Sequence, residues 1–172
     1  MKKILVQQKR FFILLGAFLL FQIAFGLALD RLQQIAGTGQ ILDVRFHYAP
    51  HEAFELLRRY GSEGRKWYLF CLGIDMLYPL IYVLLLREIM KMASRAKSVL
   101  HYLKWTPFAI GALDYLENIL EFKMVLGYPQ SVLTTAAVSA WITSAKWTLV
   151  AALLSLIMLQ MVLNLVQRRA GE

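Results

Sequence analysis

The sequence predicts an all-α protein, a four-helix transmembrane bundle with a short amphipathic interfacial helix in its first outer loop. Three observations lead there. Of the 172 residues, 59% are hydrophobic and only 17% charged, too apolar for a soluble domain of this length. The apolar residues gather in runs long enough to cross a bilayer, which takes roughly 20 residues of helix. The basic residues that give the chain its net charge of +8 cluster beside those runs, as they do in segments that meet an anionic membrane surface. That clustering argues against a nucleic-acid partner. The single cysteine, Cys71, excludes an internal disulfide and a multi-cysteine metal site, and it lies inside an apolar run as a small packing residue.

The first span, 11–29, follows Lys2, Lys3, Lys9 and Arg10, so its start is expected inside. A cleaved signal peptide is the competing reading, because Ala24 and Gly26 form a small-x-small pair after a basic lead-in. The second span, 67–86, is interrupted only by Asp75 and Pro79. The third, 105–126, is the least apolar and carries Asp114, Glu117, Asn118, Glu121 and Lys123. The fourth, 132–166, is longer than one crossing needs and holds Lys146. All of 1–172 reads as one transmembrane domain.

Orientation follows from the retention of Lys and Arg on the cytoplasmic side. The amino end has four such residues, the 87–104 connection has Arg87, Lys91, Arg95, Lys97 and Lys104, and the tail adds Arg168 and Arg169. Four spans put all three groups on one face. The expectation is a multi-pass protein of the cell inner (plasma) membrane with both termini cytoplasmic. The 30–66 connection then lies outside. Within it Pro50 suits a first helical position, Phe54, Leu57 and Tyr60 recur at helical spacing, and Gly61 is placed to end the helix. Residues 50–60 are expected to lie along the membrane surface, with Ser62 capping the helix that becomes the second span.

Ionisable side chains inside a bilayer are costly, so their positions point to function. Asp75 falls near mid-membrane, and Tyr68, Cys71, Tyr78, Pro79 and Tyr82 share its side of the helix. Asp114, Glu117, Asn118 and Glu121 are spaced i, i+3, i+4, i+7 on one face of the third span, with Lys123 pointing away. Thr135, Ser139, Thr143 and Lys146 form a polar stripe on the fourth. Reflecting the third and fourth spans through the 127–130 turn brings Lys146 level with Gly111, one turn from Asp114, and a similar reflection sets Asp75 level with Leu116. Asp75, Asp114, Glu117, Asn118 and Lys146 should therefore form one layer, in which the carboxylates outnumber the lysine. Two readings stand side by side. Polar side chains between membrane helices often serve only as interhelical glue. Alternatively the surplus acid marks a ligand-binding cavity, with Asp75, Asp114, Glu117, Asn118, Lys146, Tyr78, Tyr82 and Arg65 as contacts to a membrane lipid or lipid-like small molecule. A proton-coupled carrier fits less well, since four spans without a repeat offer little for alternating access.

The outer loop adds Asp43, Arg45, His47, His51 and Glu52. His47 and His51 have i, i+4 spacing, but Pro50 between them breaks the helix a metal pair would need. A solvated loop or a contact with lipid head groups is the expectation, with no metal. His101 reads as an interfacial residue. No cofactor is implied: the chain has no nucleotide-binding glycine loop, zincin motif or serine-hydrolase elbow.

The motifs Tyr60-Gly61-x-x-Gly64-Arg65-x-x-Tyr68, Asp75-x-x-Tyr78-Pro79 and Asp114-Tyr115-x-Glu117-Asn118 resemble those of an uncharacterised group of small bacterial four-helix membrane proteins. The resemblance runs from about Arg45 to Trp147 and implies an architecture without a mechanism. A weaker similarity is to EXPERA-type four-span proteins, which include sterol isomerases. It rests on the long first connection, on Asp75 within Phe70-Cys71-Leu72-Gly73-Ile74-Asp75, and on Pro107 early in the third span. The histidine of the isomerase chemistry has no counterpart within the spans, so no catalytic residue carries over. The expected function is binding or modifying a lipid-like molecule in a polar intramembrane cavity. The alternative is a non-catalytic accessory or assembly protein, with a homo-oligomer or a partner membrane protein as its context.

Overall fold

A computed structural model describes residues 2–94, 98–130 and 132–170. Arg95 and Lys97 of the basic connection lie outside the described residues, as do the side chains of Lys2, Lys3, Arg168 and Arg169. The fold is all-helical, with no strand among the described residues: α1 Lys2–Ala36, α2 Pro50–Asp75, α3 Tyr78–Ala93, α4 Val99–Tyr102, α5 Thr106–Leu126 and α6 Val132–Ala170. Three stretches, Leu5–Ala36, Pro50–Ala93 and Val132–Gln167, are long and apolar enough to cross a membrane. Their outward faces carry large exposed apolar residues, among them Phe12, Leu20 and Ile23 on α1 and Trp141, Met158 and Leu165 on α6. Such a belt is a poor match for water and a good one for hydrocarbon. Helix α5, which is not among these three stretches, is apolar on its exposed side (Leu116, Ile119, Leu126) and carries Asp114, Glu117 and Glu121 on its buried one.

Helix α2 is two segments. It opens with Pro50 in its first turn, and the Ala49 amide donates to Glu52 Oε2 at 2.6 Å, relieving one amide at the helix start. At Gly61 the backbone takes φ 62° and ψ −170°, a conformation open to glycine and strained for other residues, and the chain turns sharply. The turn brings Arg65 back to donate to the Leu57 carbonyl at 3.0 Å. Residues 50–60 are thus helical, as their spacing predicts. Their apolar side (Ala53, Leu56, Leu57, Tyr60) is buried within the bundle core.

The stretch predicted as one span over 67–86 is broken in the middle. Helix α2 ends at Asp75, and the Met76 and Leu77 amides donate to Leu72 and Ile74 before α3 begins at Tyr78. Pro79 is the physical reason. It has no amide to give the Asp75 carbonyl, and its ring crowds that turn.

Helix α5 packs against α6, α3 and α2, while α1 lies against α2 and α3. Two apolar cores result. One gathers Leu32, Leu42, Leu57, Met124, Val132 and Ala136; the other gathers Met90, Leu100, Ile110, Leu153 and Ile157. The polar layer lies between them.

Candidate functional site: a buried polar layer

Lys146 is the centre of the layer. Its Nζ lies 2.8 Å from Asp114 Oδ1, 2.5 Å from Glu117 Oε2, and in contact with Asp43 Oδ1. The turn reflection sets Lys146 level with Gly111, one turn from the first of these; in the structure its side chain reaches both Asp114 and Glu117. They come from successive turns of α5, as i, i+3 spacing requires. One oxygen from each of Asp43, Asp114 and Glu117 lies within 4.8 Å of the others, a spacing that suits a cation, and the cation seated among them is the lysine's own ammonium.

Around this centre the remaining acids have separate partners. Tyr82 donates its hydroxyl to Asp114 Oδ2 at 2.9 Å, and Asn118 Nδ2 donates to Asp75 Oδ2 at 2.9 Å. Thr143 donates to Glu117 Oε1, and Tyr68 donates to Glu121 Oε2. Glu117, Asn118, Glu121, Ser139 and Thr143 are wholly buried. The structure therefore joins Asp114, Glu117, Lys146 and Tyr82 in one set of contacts, with the Asp75–Asn118 pair, from α2 and α5, beside it. Of the other two candidates, Tyr78 borders the set, its ring 5.0 Å from that of Tyr82 and stacked on Phe21 of α1 at 4.7 Å, whereas Arg65 sits apart, 4.2 Å over the Tyr128 ring near the far end of α5.

The residue that sequence reasoning missed here is Asp43. It belongs to the connection between α1 and α2, yet Lys146 stands fourteen residues into α6, roughly 21 Å along the helix from Val132. The connection therefore dips deep along α6. The Trp147 indole donates to the Asp43 carbonyl at 2.9 Å, the Ser144 hydroxyl donates to the Phe46 carbonyl at 2.9 Å, and His47 Nδ1 lies 3.0 Å from the same hydroxyl. Irregular backbone at such depth is stable only where its polar groups are met by protein or by a water-filled cavity. Three α6 side chains do this for residues 43–47. Leu42 and Tyr48, on either side, are buried. The signal for such a dip was faint: Asp43 alternates with Arg45 and His47 in a segment with no helical period.

His47 faces Ser144 and Trp141, whereas His51 lines a shallow outer depression with Gln40, Arg45 and Glu52, so the two histidines serve different surroundings. Tyr48 lies beside Ser139 and Thr143, without a hydrogen bond of ordinary geometry. Burial holds its phenol above the usual range, so at neutral pH it is an uncharged donor. Asn118 Oδ1, Glu121 Oε1 and Ser139 Oγ are buried and likewise have no hydrogen-bond partner among the described residues.

Chemically the layer holds five carboxylates (Asp43, Asp75, Asp114, Glu117, Glu121) against one lysine. It is suited to hydrogen-bond donors or positive charge. Comparison of the chain with protein-family models, curated proteins and solved structures returned no match, so its function is argued from this geometry.

Proposed function

We propose that the protein is a four-span membrane protein that binds a lipid-like molecule by its polar head in this layer, with the 37–49 connection as a removable cover. The spans are α1, α2 with α3, α5 and α6. Helix α1 meets Trp67 at Ala28 and Tyr78 at Phe21, so it runs antiparallel to α2 and α3, and Lys9 and Arg10 fall at the same end as Arg87 and Lys91. That shared basic end supports a cytoplasmic position for both termini in a cell inner membrane.

The observation that carries the binding reading is the group of unpartnered buried atoms: Asn118 Oδ1, Glu121 Oε1 and Ser139 Oγ. A layer built only to lock helices satisfies its polar atoms, because each buried orphan costs about 1–3 kcal/mol. Here the orphans are acceptors and a hydroxyl, so the complementary head group carries hydroxyl or ammonium donors. Asp43 supports a route in: it reaches Lys146 from a connection with no regular helix, and its departure leaves Lys146 with Asp114 and Glu117.

A second reading, a non-catalytic accessory protein with a purely structural layer, is favoured by the in-chain partner that each acid already has. The two separate experimentally. Lys146→Met combined with Asp114→Asn removes one charge of each sign. If the layer is structural, stability and activity in cells recover together relative to Lys146→Met. If it binds a ligand, thermal stability recovers alone, and native mass spectrometry of the protein from mild detergent loses a lipid adduct that the unsubstituted protein carries. Absence of any adduct in the unsubstituted protein sinks the binding reading.

A further inference from the structure

A separate cavity of about 340 Å³ opens where the ends of α3 and α4 approach the start of α5, lined by Arg87, Met90, Lys91, Leu100, His101 and Lys104. None of its lining side chains is acidic. We propose that it is a binding site for a phosphate group, carried by an anionic lipid or by a small soluble phosphate.

The positive-inside tendency accounts for basic residues near a membrane surface, but not for their turning onto one concavity. Here three elements contribute. Arg87 and Lys91 are one turn apart on α3, an i, i+4 pair on one face. His101 comes from α4, and Lys104 from the turn that leads into α5. The placement of two cations is fixed by neighbours outside the lining. The Arg87 guanidinium lies over the Phe108 ring, 5.4 Å from its centroid, and Lys91 Nζ is held 2.5 Å from Glu88 Oε1. Even with Glu88 counted, Arg87, Lys91 and Lys104 leave a surplus of two positive charges before His101 contributes. A planar guanidinium and two ammonium groups, carried around one cavity by α3 and by the turn before α5, match the several oxygens of a phosphate. The floor is apolar, since Met90 and Leu100 are buried in the core beneath it. A basic rim over an apolar floor suits a molecule with an anionic head and a hydrocarbon body. Ser94 also lines the cavity, at the border of the described residues.

The full chain in mild detergent supplies the test. Binding of phosphatidylglycerol and of phosphatidylcholine with the same acyl chains is measured by native mass spectrometry, with inorganic phosphate and glycerol 3-phosphate added as soluble competitors. The expected result is a preference for phosphatidylglycerol that weakens about thirtyfold in Arg87→Gln with Lys104→Gln, and about fivefold in Lys104→Gln alone. The single variant covers a failure of the double one to fold. A matched control, Lys9→Gln with Arg10→Gln, removes two exposed charges from α1 at the same end and should leave the preference unchanged. Competition by either soluble phosphate at millimolar concentration assigns the site to a free phosphate; its absence assigns the site to a lipid head group. Equal weakening in the control and the cavity variants would mean that surface charge alone attracts the lipid, and would overturn the proposal. So would the absence of any preference between the two lipids.

Discussion

Two clusters of charge in the molecule are treated in opposite ways. In the layer between the two apolar cores, an excess of acid is partnered from within: Lys146 touches three carboxylates contributed by two elements, and the other acids take side-chain donors. At the α3–α5 end, an excess of base is left facing a cavity, with Lys91 alone in an ion pair, through Glu88, among the described residues. The contrast follows from dielectric surroundings. A charge held between hydrocarbon cores must find its counter-charge in the chain, whereas one at the rim can use water and anions. Substitutions in the first cluster should therefore be felt as stability, and those in the second as binding.

The largest effect is expected at Lys146. Lys146→Met strands Asp43, Asp114 and Glu117 together, and breaking a buried ion pair from one side costs about 3–5 kcal/mol. Thermal unfolding in detergent should show that loss, while Lys123→Met, on the exposed side of α5, should lie within about 0.5 kcal/mol of the unsubstituted protein. Equal effects at the two lysines would dissolve the contrast between buried and rim charge.

Next in size comes Gly111→Ala. A Cβ at Gly111 would meet Val83 Cγ2 at 2.7 Å, so the Val83 side chain or the packing of α3 on α5 must shift, next to where Tyr82 reaches Asp114. Overpacking of this kind costs about 1–3 kcal/mol. Tyr68→Phe should cost about the same, since Glu121, wholly buried, loses its donor while the ring still fills the site. A third substitution separates the cover from the layer. Asp43→Asn keeps the shape and leaves Lys146 two carboxylates, so the expected loss of stability is only about 1 kcal/mol. Amide hydrogen exchange over 39–48 should nevertheless rise well above that of the helices on either side. Unchanged exchange there would show that Asp43 does not hold the connection down. The smallest effect is at the rim, where Lys104→Gln should leave the unfolding temperature unchanged.

The helices and the layer were legible in the sequence for a common reason: both depend on short-range periodicity. The i, i+3, i+4, i+7 spacing of Asp114, Glu117, Asn118 and Glu121 fixes a face whatever the partner, and a tight 127–130 turn makes the depth of Lys146 a matter of counting. Two features escaped that arithmetic. The break between Asp75 and Tyr78 was marked by Pro79, but whether a proline kinks a helix or divides it depends on neighbours able to meet the freed groups. The dip of Asp43 onto Lys146 depends on a contact between residues 103 apart, through a segment without periodicity. No local pattern encodes such a contact. Arg65, a conspicuous cation within a motif, lies outside the layer, over an aromatic ring and against a backbone carbonyl.

That 103-residue separation also sets an order of manufacture. Asp43, Asp114 and Glu117 all leave the ribosome before the lysine that neutralises them, and at roughly 5–20 residues per second Lys146 follows Asp43 by about 5–20 s. For the last about 2–6 s of it, the 32 residues from Asp114 to Lys146, α5 carries its acidic face with no cation to meet it, which on the four-span reading proposed above makes it a reluctant entrant into lipid. The last helix is therefore the one that completes insertion: it brings the counter-charge for α5 and the anchor for the connection made earliest. A chain truncated before Lys146 should be retained by the insertion machinery or degraded, even though every helix but α6 has been synthesised.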